Sequence, residues 1–172
     1  MIIKINRIYG NADFTIGIAT IVGYSFRAYS LERRSADHSR AANKRNNHAF
    51  PCGEYPFRFE TTRLSPLTPV SYLLKGFGRM TFRAVKSYDS LGTGHIALFS
   101  KYPHNGEGEI DERVYNALSQ HCYSECSQHL PQGNKFVIEE DDEFYYDENW
   151  HQQSEQLFED DDFIDPDENE LQ

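Results

Sequence analysis

Apolar and polar residues alternate along residues 1–8 (MIIKINRI) in the manner of a half-buried strand, and the run stops at the turn signal Tyr9-Gly10-Asn11. Residues 14–22 (FTIGIATIV) and 24–31 (YSFRAYSL) flank Gly23 and predict a hairpin, with Phe26, Ala28 and Ser30 on one face. Period two returns in 54–61 (EYPFRFET), and 70–74, 80–85 and 95–100 (HIALFS) predict three further short strands. One segment changes period. Residues 111–130 place Val114, Leu118, Cys122 and Cys126 on a single stripe, follow acidic residues, and end before Pro131 and Gly133, which predicts a helix. Residues 135–138 predict a last strand. The pattern therefore gives a mainly β domain, a compact sheet or barrel, with one packed α-helix and an acidic C-terminal tail.

Charge divides the chain more sharply than hydropathy does. All 17 Lys and Arg residues precede Phe136, whereas residues 139–172 carry 16 of the 27 acids and no Lys or Arg. This places a domain boundary after Ile138: a basic body over 1–138, of net charge +6, and an acidic, aromatic arm over 139–172, of net charge −16. The arm mixes Phe144, Tyr145, Tyr146, Trp150, Leu157, Phe158, Phe163 and Ile164 among its carboxylates. A tail used only for solvation has no use for Trp150 or Phe158. The arm is therefore expected to dock, with Trp150, Leu157, Phe158, Phe163 and Ile164 as its anchors.

Several classes are excluded or weakened by composition. No window approaches 18 apolar residues, so neither a spanning helix nor membrane attachment is expected, and the N-terminus has no export signal pattern. Three cysteines make no even framework and fit a reducing compartment. No Gly-rich phosphate loop, Cys-x-x-Cys or His-Glu-x-x-His is present, and no cofactor is implied. Cys122, Cys126 and His129 share a helical face and could hold zinc only if Cys52 or His104 approached. Small cysteines on a buried stripe explain the spacing more simply, and no metal is expected.

Two basic segments are candidate binding surfaces. Residues 33–48 read as a long exposed loop carrying Arg33, Arg34, Arg40, Lys44 and Arg45, suited to an anionic partner. The run Lys75-Gly76-Phe77-Gly78-Arg79-Met80-Thr81-Phe82 pairs Lys75 and Arg79 with Phe77 and Phe82, a spacing used by sheets that stack on bases. Arg79 stands where that pattern wants an aromatic residue, so a glycine-containing turn into a strand is the plainer account.

Taken in order, residues 14–32 (FTIGIATIVGYSFRAYSLE), 49–59 (AFPCGEYPFRF), 70–84 (VSYLLKGFGRMTFRA) and 92–99 (GTGHIALF) resemble a family of small, largely uncharacterised proteins of bacteria and their phages. The resemblance covers roughly residues 10–138. That family carries a His…Gly-Cys pattern similar to that of L,D-transpeptidases, in which a cysteine attacks a peptidoglycan peptide and a histidine activates it. Here the histidine position reads Arg83 and the cysteine position reads His95, so the resemblance implies the fold and a degenerate site without its nucleophile. The expectation is a non-catalytic binding or assembly protein, phage-associated, acting on a phage structural protein or a host protein in the host cytoplasm or virion. Two other readings stand beside it: a single-stranded nucleic-acid binder with an autoinhibitory acidic tail, and a peptidoglycan-processing enzyme.

Overall fold

The computed structural model describes residues 1–35, 48–72, 78–127 and 133–150. Nine strands and one α-helix follow in the order β1 (Ile2–Asn11), β2 (Phe14–Ile21), β3 (Arg27–Arg33), β4 (Gly53–Pro56), β5 (Arg58–Glu60), β6 (Thr68–Val70), β7 (Thr81–Phe82), β8 (His95–Phe99), α1 (Glu112–Ser127) and β9 (Lys135–Asp147). Seven strands form one sheet in the order β4-β9-β1-β2-β3-β8-β7, while β5 and β6 form a separate ladder. The fold is mostly β, a sheet curled into a half-barrel with one helix against it. One ring contact shows the curl directly. Phe82 of β7 and Phe136 of β9 lie near opposite ends of the strand order, yet their ring centroids are 5.8 Å apart.

Alternation sets which side chains line the concave face. Ile3 and Ile5 of β1, Ala19 and Ile21 of β2, Ala28 of β3 and Ile96 and Leu98 of β8 are buried there. They are joined by Tyr115, Leu118 and Cys122 of α1. Asp111 starts that helix by accepting the Arg113 backbone N–H at 3.0 Å, which satisfies one of the orphan donors of the first turn. Of the expected stripe, Leu118 and Cys122 are buried, while Cys126 is exposed near the helix end. The convex face carries a second cluster, built on Phe14, Ile16, Leu31, Leu91, Ala97 and Phe99. The central strands β2, β3 and β8 are thus apolar on both faces, unlike a sheet with one wet side.

The row Arg7–Gly17–Ser30 crosses β1, β2 and β3 in register. Arg7 follows Ile3 and Ile5 on the inward face and is fully buried. Its Nε and Nη2 donate to Glu32 at 3.0 Å each, Nη2 to the Phe50 carbonyl at 2.6 Å and Nη1 to Ser35 Oγ at 3.2 Å. Gly17 makes room for this row, since a Cβ there would lie 2.7 Å from Ser30 Oγ.

Several boundaries differ from the alternation reading. The expected turn Tyr9-Gly10-Asn11 lies within β1, and of the described part of the strand expected over 70–74 only Val70 belongs to one, β6. The expected strand over 54–61 is broken in two at Phe57, whose N–H still donates to the Asn134 carbonyl at 3.0 Å before the chain leaves β9 to start β5. The strand expected over 80–85 is reduced to Thr81–Phe82. The largest difference is at the C-terminus, where the expected strand over 135–138 runs on to Asp147, parallel to β1 along its length. A boundary after Ile138 falls inside this strand. Between Glu140 and Tyr145, β9 takes five steps where β1 takes two, from Arg7 to Tyr9, so the acids 141–143 sit in a bulge. Asn6 Nδ2 holds that bulge by donating to Asp141 at 2.7 Å.

Charge must be partitioned again. Through Trp150 the chain holds 17 basic and 18 acidic residues, a net of −1. The arm that remains, 151–172, has nine acids and no Lys or Arg. The body is therefore almost neutral overall, with its charge sorted by position.

Candidate functional site

A parallel pairing of β7 with β8 sets Thr81 opposite His95 and Phe82 opposite Ile96, and the Arg83 N–H donates to the Ile96 carbonyl at 2.9 Å. Phe82 points into the core, and its neighbours Thr81 and Arg83 face an open cavity of about 500 Å³. Thr62, Arg63 and Leu64, in the turn between β5 and β6, form the facing wall, and Arg79 joins from the approach to β7. The walls are braced. Thr62 N–H donates to the Ser65 carbonyl, Leu64 N–H to Thr62 Oγ1, and the Thr62 and Thr68 hydroxyls meet at 2.8 Å. On the opposite wall, the Tyr115 hydroxyl donates to the Arg83 carbonyl at 3.0 Å and accepts from the Leu98 N–H at 2.9 Å. Burial pushes the Tyr115 phenol up to about 12, so it stays a donor.

Gly94 lets the chain pass close beneath Arg79. Its φ is +73°, and a Cβ would lie 2.8 Å from the Arg79 carbonyl oxygen and 2.7 Å from the Phe50 ring. His95 follows it, half-buried, with Nδ1 accepting the Gly92 N–H at 3.0 Å. Burial first, then the Arg83 and Arg79 charges, lower the imidazole to about 4. It is neutral at physiological pH and carries its proton on Nε2.

No carboxylate forms an ion pair with Arg63, Arg79 or Arg83 among the described residues. Glu60, whose carboxylate is held by the Tyr72 hydroxyl at 2.7 Å and by Arg58, is also stabilised in small part by the Arg79 charge. Three guanidiniums around one cavity form a fork-rich, positively charged wall that suits carboxylate or phosphate oxygens.

The other candidates fare differently. Arg33 is a clasp within the fold, donating to the Leu91 carbonyl at 2.8 Å and the Asp89 carbonyl at 2.7 Å. Arg34 Nε donates to His48 Nδ1 at 3.2 Å, and burial together with Arg34 lowers that imidazole. Phe82 is only 1% exposed and packs on Phe136, so it cannot stack on a base. Arg40, Lys44, Arg45, Lys75, Phe77, Leu157, Phe158, Phe163 and Ile164 lie outside the described residues. Trp150 docks on its own chain: its ring meets Phe14 edge-on at 5.1 Å and its Nε1–H donates to Asp13 at 3.0 Å.

Arg83, one residue past β7, and His95, at the start of β8, are the degenerate positions of the resembled pattern, and the Arg83 charge bears on the imidazole. Neither supplies a nucleophile. Of the cysteines, Cys122 is buried, with its thiol pushed up by burial to about 12, and Cys126 is exposed at the end of α1. Cys52 is exposed in the turn before β4, its Sγ 3.9 Å from Arg7 Nη1. Among the described residues no three His, Cys, Asp or Glu side chains gather as a metal centre. None of their helices is long and apolar enough to cross a membrane.

Arg7, Glu32 and Arg63 were not singled out by pattern. Arg7 and Glu32 had a signal, since each continues a buried alternation, after Ile3 and Ile5 and after Ala28 and Ser30. Arg63 had none, because only the tertiary fold brings the 62–64 turn to β7. Comparison of the chain with protein-family models, curated proteins and solved structures finds no match.

Proposed function

We propose that this is a non-catalytic binding or assembly protein that holds a carboxylate-bearing protein partner in the arginine groove beside β7. The observation that carries this reading is the set Arg63, Arg79 and Arg83, gathered on one braced cavity without an ion-paired acid among the described residues. Like charges held together in this way repel, and an anionic ligand relieves that cost. The transpeptidase chemistry of the resembled family needs a thiolate with a base in reach, and the two positions concerned carry Arg83 and His95. Association with phage, in the host cytoplasm or virion, rests on the resemblance alone. The nucleic-acid reading is weakened, because Phe82 is in the core and unavailable for stacking.

Full-length protein at low ionic strength is titrated against a fluorescein-labelled Asp/Glu-rich peptide and, separately, an oligothymidine. Peptide binding is expected, falling at least tenfold in the Arg79→Ala/Arg83→Ala double variant. Tight oligothymidine binding lost in the same variant would replace this reading with the nucleic-acid one. Turnover of a disaccharide-tetrapeptide that disappears in Cys52→Ala would restore the enzyme.

A further inference from the structure

The groove has a candidate occupant within the same chain. Trp150 is pinned by Phe14 and Asp13, and Phe14 in turn packs on Tyr88 at 5.1 Å. Arg83 precedes Tyr88 by five residues, so their Cα atoms are at most about 18 Å apart. Beyond Trp150, the four consecutive acids Glu159, Asp160, Asp161 and Asp162 follow after nine to twelve residues, an extended reach of roughly 30–40 Å. Contour length therefore permits the contact, and nine acids without a Lys or Arg in 151–172 complement three arginines that no carboxylate ion-pairs among the described residues.

We infer that the acids at 159–162 occupy the arginine groove of their own chain, so that a partner binds by displacing this self-contact. The inference rests on the groove being an anion site. Attachment at Trp150 makes the contact intramolecular, with an effective concentration on the order of millimolar for a short tether. Charge draws the segment in, and in sequence Leu157, Phe158, Phe163 and Ile164 flank the acids.

The probe is a labelled peptide with the sequence of residues 155–165, titrated into three full-length proteins: the native chain, one with Glu159→Gln, Asp160→Asn, Asp161→Asn and Asp162→Asn, and Arg79→Ala/Arg83→Ala. The arm-neutral chain is expected to bind the probe at least tenfold more tightly than the native chain, and the groove variant to lose binding. Equal affinity for native and arm-neutral chains, both lost in the groove variant, would overturn the self-contact and leave the anion site standing. Binding by none of the three would overturn both. Native-chain dimers that dissociate when the arm is neutralised would place the arm on a second copy and also overturn the intramolecular contact.

Discussion

The two ends of the curled sheet treat charge in opposite ways. Near the β9 end, Lys4 pairs with Glu139 at 2.5 Å, Lys135 with Glu54 at 2.7 Å, and the bulge acid Asp141 accepts from Asn6. Each cation there has an acid on a neighbouring strand, in the cross-strand arrangement that helps fix register. Beside β7, Arg63, Arg79 and Arg83 face one cavity, and no acid pairs with them among the described residues. Paired charge at one end serves the fold, whereas the three guanidiniums at the other have no ion-paired carboxylate among the described residues. Between them the apolar contact of Phe82 with Phe136 ties the ends together.

Cutting that tie should have the largest effect. Phe136 is fully buried against Phe57 and Phe82, so Phe136→Ala is expected to cost about 3–5 kcal/mol, read as a lowered urea midpoint. A loss below about 1 kcal/mol would mean that the ends are not coupled through this ring.

An intermediate effect is expected at the C-terminal anchor. Trp150→Ala removes an edge-on contact with Phe14 and a hydrogen bond to Asp13, for about 1–2 kcal/mol. Native-state hydrogen exchange should show the loss concentrated at Phe14 and residues 145–147, leaving the groove residues unchanged. Exchange rising equally at Arg83 would show that the Trp150 contact supports the groove as well as its own surroundings.

The smallest effect separates paired from gathered charge by pH. His95 titrates lower in the folded protein, at about 4, than in the unfolded chain, near 6.5. As pH falls through that window the unfolded chain takes up the proton first, so stability should decline from about pH 6.5 to pH 4 and gain no further slope from His95 below it. Arg79→Ala/Arg83→Ala removes two of the three causes and should raise the His95 titration midpoint, observed by NMR, and shorten the window. At pH 7 the same variant should lie within about 0.5 kcal/mol of the native stability. An unmoved midpoint would mean that burial alone holds His95 neutral.

What could be read from sequence follows from which force acts locally. Alternation exposed β1 and the β2–β3 hairpin, and the 3.6 period exposed α1, because the buried faces there are written in neighbouring residues. The second half of β9 was hidden because its acids are poor strand formers, and composition read them as an arm. Pairing with β1 overrides that preference, and the aromatic triplet Phe144-Tyr145-Tyr146 directly after the bulge was the available clue. Phe82 stood as a stacking candidate because a basic aromatic run looks alike whether its ring faces a ligand or, as here, a core. The groove drew on three separate segments, so sequence order gave Arg83 and His95 together but never Arg63.

The interior position of β9 has a consequence for how the chain comes to be made. β1 lies between β2 and β9, and the N-terminal ammonium of Met1 reaches Asn134, 133 positions away, at 2.8 Å. Translation at about 5–20 residues per second separates the synthesis of Asn11 from that of Asp147 by roughly 7–27 seconds. Through that interval the N-terminal hairpin exists with one edge of β1 lacking its permanent neighbour, and Ile3 and Ile5 await most of their cover. Nascent chains of this protein should therefore engage holdase chaperones until the ribosome has passed Asp147, and a stall before that codon should leave a product that aggregates rather than a smaller folded domain.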